Sequence, residues 1–391
     1  MTASPPPQAT LWALLVGNFI IGTGVLLPAG LLGPITRDLG VTSAEAGWLM
    51  TLGGLVVGLG APVVAGLTAR VDRRLLLTVA LVAYVLGHLG AMMAPGLGWL
   101  LVMRALSVAG AAAFTPQAAA TVGLLVPPAS RGAAIGFIFI GWSLASVVGI
   151  PLATFAGEGL GWRATYGMMA FVSLLAAGMV WVVVPRGLRV SPMSFGVWGQ
   201  VLRDVRLVVV LCITAAAMAG QFTVFTYISP ILSGVHGLSG TGTALAFCLA
   251  GAFGVFGNWY AARRVSVWGV NRTVMGSLCL IGGGLAVAGV GWGSLGAFVA
   301  GLCLWNLGAF AVNSMQQARL VGLAPMLASV TIALNTSFVY LGQAIGSATG
   351  GVLIAQTGPS ARQMAVAVGF VSLAAALSWF AARLERLAPQ P

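Results

Sequence analysis

Apolar runs long enough to cross a membrane fill nearly the whole sequence. A helix needs about 20 apolar residues to cross the hydrocarbon core of a bilayer, and inside that core only helices and closed barrels satisfy every backbone polar group. Apolar residues make up 59% of the chain and charged residues 6%, with a mean hydropathy of +1.03. This is too little charge to cover the surface of a soluble protein. The sequence therefore predicts an all-α membrane protein.

Short polar breaks divide the chain into twelve predicted spans. The longest polar stretch, residues 186–206, is predicted to be a cytoplasmic linker with an interfacial helix, because Phe195, Val197, Trp198 and Val201 alternate with polar positions. The Pro-rich N-terminus lacks a basic region and a cleavage site, so we expect the first apolar run to be retained. The spans are expected at about residues 11–33, 46–67, 75–93, 99–125, 133–155, 164–184, 207–232, 242–262, 272–291, 295–318, 328–355 and 363–382.

The two halves of the sequence resemble each other. Residues 117–127 at the end of the fourth span match residues 316–325 in the tenth, and residues 143–149 match residues 340–346 in the eleventh. Each match is short, but the offset between matching positions is nearly constant. We therefore predict two pseudo-symmetric six-helix bundles, residues 1–185 and 207–391, with a substrate cavity between them.

Arginine supplies every basic residue of the chain. The absence of lysine excludes a Walker-type nucleotide site, which requires one. The net charge of +12 comes from arginines that cluster in the breaks and lie mainly on one side of a twelve-span arrangement. This is the bias that marks cytoplasmic loops, so we expect both termini in the cytoplasm of a bacterial-type cell and no nucleic-acid partner. Cysteines fall within apolar runs, where we expect free thiols.

Three stretches of the sequence resemble the major facilitator superfamily, and within it the twelve-helix drug:proton antiporters. The resemblance extends over the chain and is strongest for the branch of arabinose-type sugar, chloramphenicol and purine nucleoside exporters. Residues 66–74 resemble the loop between spans two and three, with Arg70 where the family usually has an acid. Arg104 and Gly110 resemble its fourth-span motif, and Gly141, Gly149, Pro151 and Gly157 resemble its fifth-span antiporter motif. Gating and packing roles are implied for Gly66, Arg70, Asp72, Arg73, Gly141, Gly149, Pro151 and Gly157.

The family resemblance implies a cavity lined mainly by spans one, four, seven and ten. Polar amides in a bilayer need partners, and a wet cavity would supply them, as would hydrogen bonds between helices. An aromatic ring in the cavity would stack on a flat substrate or simply pack. The expected substrate-binding residues are Asn18, Arg104, Gln117, Trp142, Gln221, Phe225, Tyr227, Asn306, Asn313, Gln317, Asn335, Tyr340 and Gln343.

Proton coupling requires a titratable group that can be exposed to each side in turn. No acid falls in the middle of the first span, where this family commonly has one. The remaining candidates are His88, whose ordinary pKa suits the role, and Asp38 and Glu45 near the membrane rim.

Arg104 allows two functional interpretations. Its guanidinium can pair with Glu45, Asp38 or backbone carbonyls, or it can bind an anionic substrate. We therefore expect a monomeric secondary exporter of a small organic molecule (drug-like compound, sugar or nucleoside), driven by proton antiport. The alternative is a facilitator or importer of an organic anion without proton coupling. The scattered acids and histidines do not suggest an enzyme, a metal site or a cofactor.

Overall fold

A computed structural model describes residues 7–68, 70–127, 130–189 and 195–387, and these residues contain helices but no strand. The predicted twelve spans are confirmed. The residues outside the described ranges include most of the Pro-rich N-terminus, part of the linker and the last four residues. The spans comprise, in order, Pro7–Leu39; Ser43–Ala46 with Trp48–Leu67; Arg73–Met92; Leu97–Leu125; Arg131–Leu144, Ala145–Gly149 and Ile150–Gly159; Trp162–Val183; Val205–Phe225 with Ile228–Gly234; Gly240–Trp268; Val270–Val290; Leu295–Leu323; Ala328–Thr357; and Ala361–Leu387.

Prolines shape several of these spans without ending them. Span 1 runs to Leu39, beyond its expected end near residue 33, although Pro28 and Pro34 lie inside it. Pro151 follows a π-helical turn, Ala145–Gly149, in span 5. A proline ring collides with the carbonyl four residues earlier, and a wider turn relieves that collision. Span 7 breaks between Phe225 and Ile228, directly before Pro230.

A line of three glycines lets span 5 pack closely on span 1. A Cβ atom on Gly141 would overlap the Leu15 carbonyl, one on Gly149 would overlap Thr23, and one on Gly157 would overlap Leu31. Eight residues are two α-helical turns plus about 80°, and the π-helical turn between Gly141 and Gly149 takes up part of this excess, so that the glycines all face span 1. The glycine pattern predicted to serve packing therefore does so between spans 5 and 1, with Pro151 buried beside it.

The linker carries the helix Phe195–Arg203. Val201 of this helix is buried with Leu207 and Val210 of span 7 and Leu320 of span 10. The predicted helix is present, but this part of it lies against spans 7 and 10. Residues 190–194 lie outside the described ranges.

The spans form two groups, 1–6 and 7–12, that meet through a few helices. Span 2 packs on span 11, span 5 on span 8, and span 1 on span 7. We call one end of the bundle the arginine-rich end. It carries the connections after spans 2, 4, 6, 8 and 10, where the arginine clusters lie.

The two groups are in close contact at the other end, which we call the closed end. A Cβ atom on Gly54 of span 2 would lie 2.6 Å from the Tyr340 carbonyl of span 11. One on Gly251 of span 8 would lie 2.7 Å from the Ser146 carbonyl of span 5. Span 8 packs on Ala145–Gly149 and Ile150–Gly159 of span 5, whereas Arg131–Leu144, nearer the arginine-rich end, has almost no contact with it. The two groups therefore diverge toward that end.

Candidate functional site

A small hydrogen-bonded cluster holds the two groups of spans together at the closed end. Tyr227 Oη of span 7 donates to the Ser347 carbonyl of span 11 at 2.8 Å. Ser347 Oγ donates to the Gly47 carbonyl of span 2 at 3.2 Å, and Gln343 Nε2 to the Met50 carbonyl at 3.4 Å. Tyr227 and Gln343, expected to bind substrate, are buried in this contact instead. In this conformation they lie in the contact between helices and not on an open cleft.

Four of the expected substrate-binding residues remain partly exposed, and all lie on spans 5, 7 and 10. They are Trp142, Phe225, Asn313 and Gln317. Phe225 contacts two further rings, with its centroid 5.3 Å from that of Phe222 and 5.8 Å from that of Phe247. Trp142 packs on span 1, since a Cβ atom on Gly22 would lie 3.0 Å from its ring. Rings and neutral amides are thus the partly exposed members of the predicted site.

Most of the other predicted residues are tied to neighbouring helices. Nine of the thirteen are buried to less than 9% exposure. Asn18 donates to the Ile138 carbonyl of span 5 at 3.1 Å and accepts from Thr115 of span 4 at 3.0 Å. Asn335 donates to Asn313 Oδ1 at 2.9 Å and accepts from Thr214 at 2.8 Å. These amides satisfy each other and the backbone, as buried polar groups in a membrane must.

Four further expected residues, on spans 4, 7, 10 and 11, are also buried in packing contacts. Gln221 accepts from Trp305 Nε1 at 3.2 Å and donates to the Ala217 carbonyl of its own helix. Asn306 donates to the Leu302 carbonyl at 2.8 Å, and Tyr340 is 8% exposed. Gln117 accepts from Arg73, which is fully buried and also donates to the Thr68 carbonyl at 2.6 Å. None of these four faces an open cleft in this conformation.

Arg104 is held by backbone carbonyls of spans 1 and 2. Its Nη1 donates to the Gly24 carbonyl at 2.7 Å, its Nη2 to the Val25 carbonyl at 2.5 Å, and its Nε to the Leu49 carbonyl at 3.1 Å. Pro28 has no backbone N–H, so the Gly24 carbonyl lacks its usual helical partner and Arg104 replaces it. Pairing with backbone carbonyls was one of the expected alternatives for Arg104, and a proline four residues after a carbonyl identifies which acceptor is free.

The suggested pairing of Arg104 with Asp38 or Glu45 is wrong. Asp38 accepts from Arg163 and, at 3.0 Å, from Trp162 Nε1. Glu45 accepts from its own helix cap at Thr42, with both contacts at 2.8 Å. Glu158 pairs with Arg37 at 2.6 Å. Because these carboxylates have partners close to them at the closed end, Arg104 is left with carbonyl partners.

His88 is the buried member of the three proton-coupling candidates. Its Nδ1 lies 2.8 Å from the Tyr84 carbonyl, and its ring packs on those of Tyr84 and Tyr166 with centroids 4.4 Å and 5.6 Å away. Its Nε2 has no hydrogen-bond partner among the described residues. A Cβ atom on Gly24 would lie 3.0 Å from this Nε2. His88 and Arg104 therefore both contact Gly24.

The loop after span 2 is tied to the linker. Asp72 begins span 3 as its cap, accepting from Leu75 N at 3.2 Å and also from Gly187 N of the linker. Arg73 N donates to the Leu188 carbonyl at 2.9 Å. Arg70 is exposed, and Ala69 beside it lies outside the described residues. In the described part of the chain, no group of three or more His, Cys, Asp or Glu side chains could hold a metal ion.

The model of the Major Facilitator Superfamily matches residues 14–347. The chain belongs to this superfamily. It is 28% identical to the inner membrane transport protein YdhP of Escherichia coli K12, and the match covers 88% of each chain. It is 29% identical to a chloramphenicol resistance protein of Streptomyces lividans over 66% of each.

Solved transporters of the superfamily have the same fold. A bacterial homolog of the human lysosomal transporter Spinster, in an inward-facing and occupied conformation, superposes with a TM-score of 0.78. The identity is 18%, over 95% of this chain and 96% of the other. The protein is thus a twelve-span transporter of small molecules across a membrane, and not an enzyme. The expected fold class, two pseudo-symmetric six-helix bundles, is confirmed.

Proposed function

We propose that this protein is a secondary active exporter that moves a neutral, ring-containing organic molecule out of the cytoplasm by alternating access. The proposal rests on the partly exposed set Trp142, Phe225, Asn313 and Gln317 of spans 5, 7 and 10, together with the contact that holds the two groups shut at the closed end. Rings offer stacking surfaces and amides offer donors and acceptors, a combination suited to a flat, polar but uncharged molecule.

The charge distribution supports a neutral substrate. All six acids lie near the two ends of the bundle, or on the linker, so none is available at mid-depth to hold a cationic compound. Arg104 has its donors on three carbonyls within spans 1 and 2, which does not favour the alternative of an anion bound there. The related chloramphenicol resistance protein of Streptomyces lividans supports export of an uncharged aromatic compound.

Orientation in a cytoplasmic (inner) membrane follows from the arginines. If positively charged connections stay in the cytoplasm, the arginine-rich end and both termini are cytoplasmic, and the spans diverge toward the cytoplasm. This is the conformation in which an exporter loads its substrate. We propose that one chain, with both six-helix groups, is the transporting unit. The relative YdhP is named as an inner membrane transport protein, which supports this location.

We propose proton antiport with His88 as the titratable group. His88 is buried between spans with an unpartnered Nε2, whereas Asp38 and Glu45 lie at the closed end, where they bind Arg163, Trp162 and Thr42. A proton on His88 would face Arg104 across Gly24. Repulsion between these two cations would link protonation to the position of span 1.

The test is uptake of radiolabelled chloramphenicol, arabinose and inosine into inside-out vesicles with an acidic lumen. We expect chloramphenicol to accumulate several-fold and a protonophore to abolish the accumulation. Trp142→Ala and Phe225→Ala should each weaken it by about tenfold, since fully burying a large apolar side chain is worth roughly 1.5–3 kcal/mol and a ring stacked on a substrate is buried only in part. Phe171→Ala, on the exposed surface of span 6, is the matched control.

Two results would contradict the proposal. Absence of gradient-dependent uptake for all three compounds would rule out antiport of these classes. We expect the His88→Gln variant to equilibrate substrate across the membrane without accumulating it. If this variant still accumulated substrate in response to the pH gradient, His88 would not be the proton-coupling group.

A further inference from the structure

A groove with a volume of about 420 Å³ lies between spans 8 and 9, with span 10 as its floor. It is separate from the contact between the two six-helix groups. It extends from the arginine-rich end toward the middle of the membrane. Trp268 and Phe256 mark its length on span 8, and the twelve residues between them correspond to about 18 Å of helix. The wall and floor side chains are Phe256, Tyr260, Trp268, Leu280, Leu307 and Ala311.

The groove is apolar and open to the surrounding bilayer. The two aliphatic hydroxyls in its wall are used along span 9, where Thr273 Oγ1 donates to the Gly269 carbonyl at 2.8 Å and Ser277 Oγ to the Thr273 carbonyl at 2.9 Å. Gly276 leaves open space, since a Cβ atom there would meet nothing within 4 Å. Phe256 is 55% exposed. The groove therefore has the shape and polarity to take a hydrocarbon chain from the membrane.

The mouth of the groove is positively charged. Arg272 is exposed beside it, Arg264 lies 5.5 Å from the centroid of Tyr260, and Arg263 lies 4.3 Å from that of Trp259. None of these three arginines forms an ion pair with a carboxylate in the described part of the chain. The nearby Glu385 is engaged by Arg319 at 2.8 Å and by Asn271 at 2.7 Å.

Comparison with the first half of the chain shows that Arg272 lacks the partner that its counterpart has. Arg73 begins span 3 as Arg272 begins span 9, and Gln117 corresponds to Gln316, both pairs being 199 residues apart. In the first half, Arg73 is fully buried and donates to Gln117. In the second half, Gln316 donates instead to the Val210 carbonyl at 3.1 Å, and Arg272 is exposed at the groove. The same position is thus structural in one half and free to bind in the other.

We propose that this groove is a binding site for one anionic phospholipid of the leaflet at the arginine-rich end. One acyl chain lies between spans 8 and 9 over Gly276, and the phosphate and headgroup lie on Arg272 and Arg264. An arginine near the headgroup attracts its negative charge, whereas the acyl chain moves from one apolar surrounding to another, so the preference for this lipid comes from the headgroup. The site goes beyond the proposed transport function and does not depend on the substrate.

Native mass spectrometry of the full chain in detergent tests the proposal, with added dioleoyl phosphatidylglycerol or dioleoyl phosphatidylcholine. We expect one tightly retained phosphatidylglycerol, preferred several-fold over phosphatidylcholine. Gly276→Leu should fill the groove and abolish the retained adduct of both lipids, whereas Gly178→Leu should not. Gly178 is a fitting control because it lies on the exposed surface of span 6, where an added Cβ also meets nothing within 4 Å.

A second experiment uses Arg272→Gln. Arg272 is exposed, so we expect this variant to fold normally. We expect the preference for phosphatidylglycerol to fall about fivefold, whereas Arg186→Gln, another exposed arginine of the same end, should leave it unchanged. If the Gly276→Leu variant retained as much phosphatidylglycerol as the Gly178→Leu variant, the proposed lipid site would be wrong. Equal binding of the two lipids by the unsubstituted protein would overturn the assignment of an anionic headgroup.

Discussion

Arg104 Nη1 lies 2.7 Å from the Gly24 carbonyl, the acceptor that Pro28 leaves without a helical donor. Span 1 therefore has a backbone acceptor without a helical donor, and Arg104 of span 4 supplies that donor. The three carbonyls bound by Arg104 all belong to spans 1 and 2, so the contact lies within one six-helix group. It can persist while the two groups move relative to each other, as alternating access requires.

We predict that Arg104→Gln destabilises the folded protein by roughly 3 kcal/mol or more, because several charge-assisted hydrogen bonds in a buried site are lost together. The melting temperature in detergent measures this effect, with Arg186→Gln as the control. Pro28→Ala restores a donor for the Gly24 carbonyl, so we expect it to reduce the cost of Arg104→Gln. A melting temperature unchanged by Arg104→Gln would contradict a structural role.

The close contact between spans 2 and 11 at the closed end requires the absence of a side chain at Gly54. A leucine there would meet the Tyr340 carbonyl and the Ala344 nitrogen, which lie 2.6 Å and 2.9 Å from a Cβ at this position. Overpacking costs roughly 1–3 kcal/mol, and each 1.4 kcal/mol changes a population ratio about tenfold. We predict that Gly54→Leu opens the closed end.

The readout for this prediction is the rate at which an impermeant maleimide labels Ser347→Cys in a background without the four native cysteines. We expect Gly54→Leu to raise the rate about tenfold. Gly60→Leu, on the same span but facing open space, should leave it unaltered. Equal labelling in the two variants would mean that Gly54 does not set the closure.

The glycine line of span 5 gives a prediction on stability. Gly141→Ala places a methyl group against the Leu15 carbonyl of span 1, a backbone atom that cannot move aside as a side chain does. We expect a loss of roughly 1–3 kcal/mol, measured as a lower melting temperature. Gly136→Ala, also on span 5, meets nothing within 4 Å and is expected to be neutral. Destabilisation of the same size by both variants would point to helix-wide effects.

The start of span 7 gives a prediction on pH dependence. Asp204 caps this span, and hydrogen bonds from the Arg206 side chain are the main cause that lowers the pKa of Asp204 below its ordinary value of 3.8. A carboxyl group whose pKa is lower in the folded state than in the unfolded state stabilises the protein at a pH above the unfolded-state pKa. This contribution disappears as the pH falls through the folded-state pKa.

We therefore expect Asp204→Ala to cost about 0.5–2 kcal/mol near pH 7 through loss of the cap. The difference from the unsubstituted protein should shrink below about pH 4. Asp204→Asn keeps the cap and removes only a partly exposed ion pair, worth about 0–1 kcal/mol. Melting curves at pH 7 and pH 3.5 compare the three proteins, and a difference that grows on acidification would have the wrong sign.

Hydropathy alone determined the number of spans, because it depends on transfer free energies summed along the chain and not on which helices touch. The arginine clusters predicted an orientation, and motifs such as residues 66–74 implied the superfamily. A packing role for the glycines of span 5 was implied by the family resemblance, but the helix against which they pack was not.

Only the tertiary structure decided where the polar side chains find their partners. Asn18, Asn335 and Gln221 were expected on a cavity wall, yet each is bound to a neighbouring helix, while Trp142 and Phe225 stay partly exposed. The amphipathic signal is weak in spans that are apolar all round, so the sequence does not say which face of a helix meets lipid, cleft or neighbour. The choice among donors, acceptors and free space is made when the helices pack, because each buried polar group then has to be satisfied by whatever its neighbours present.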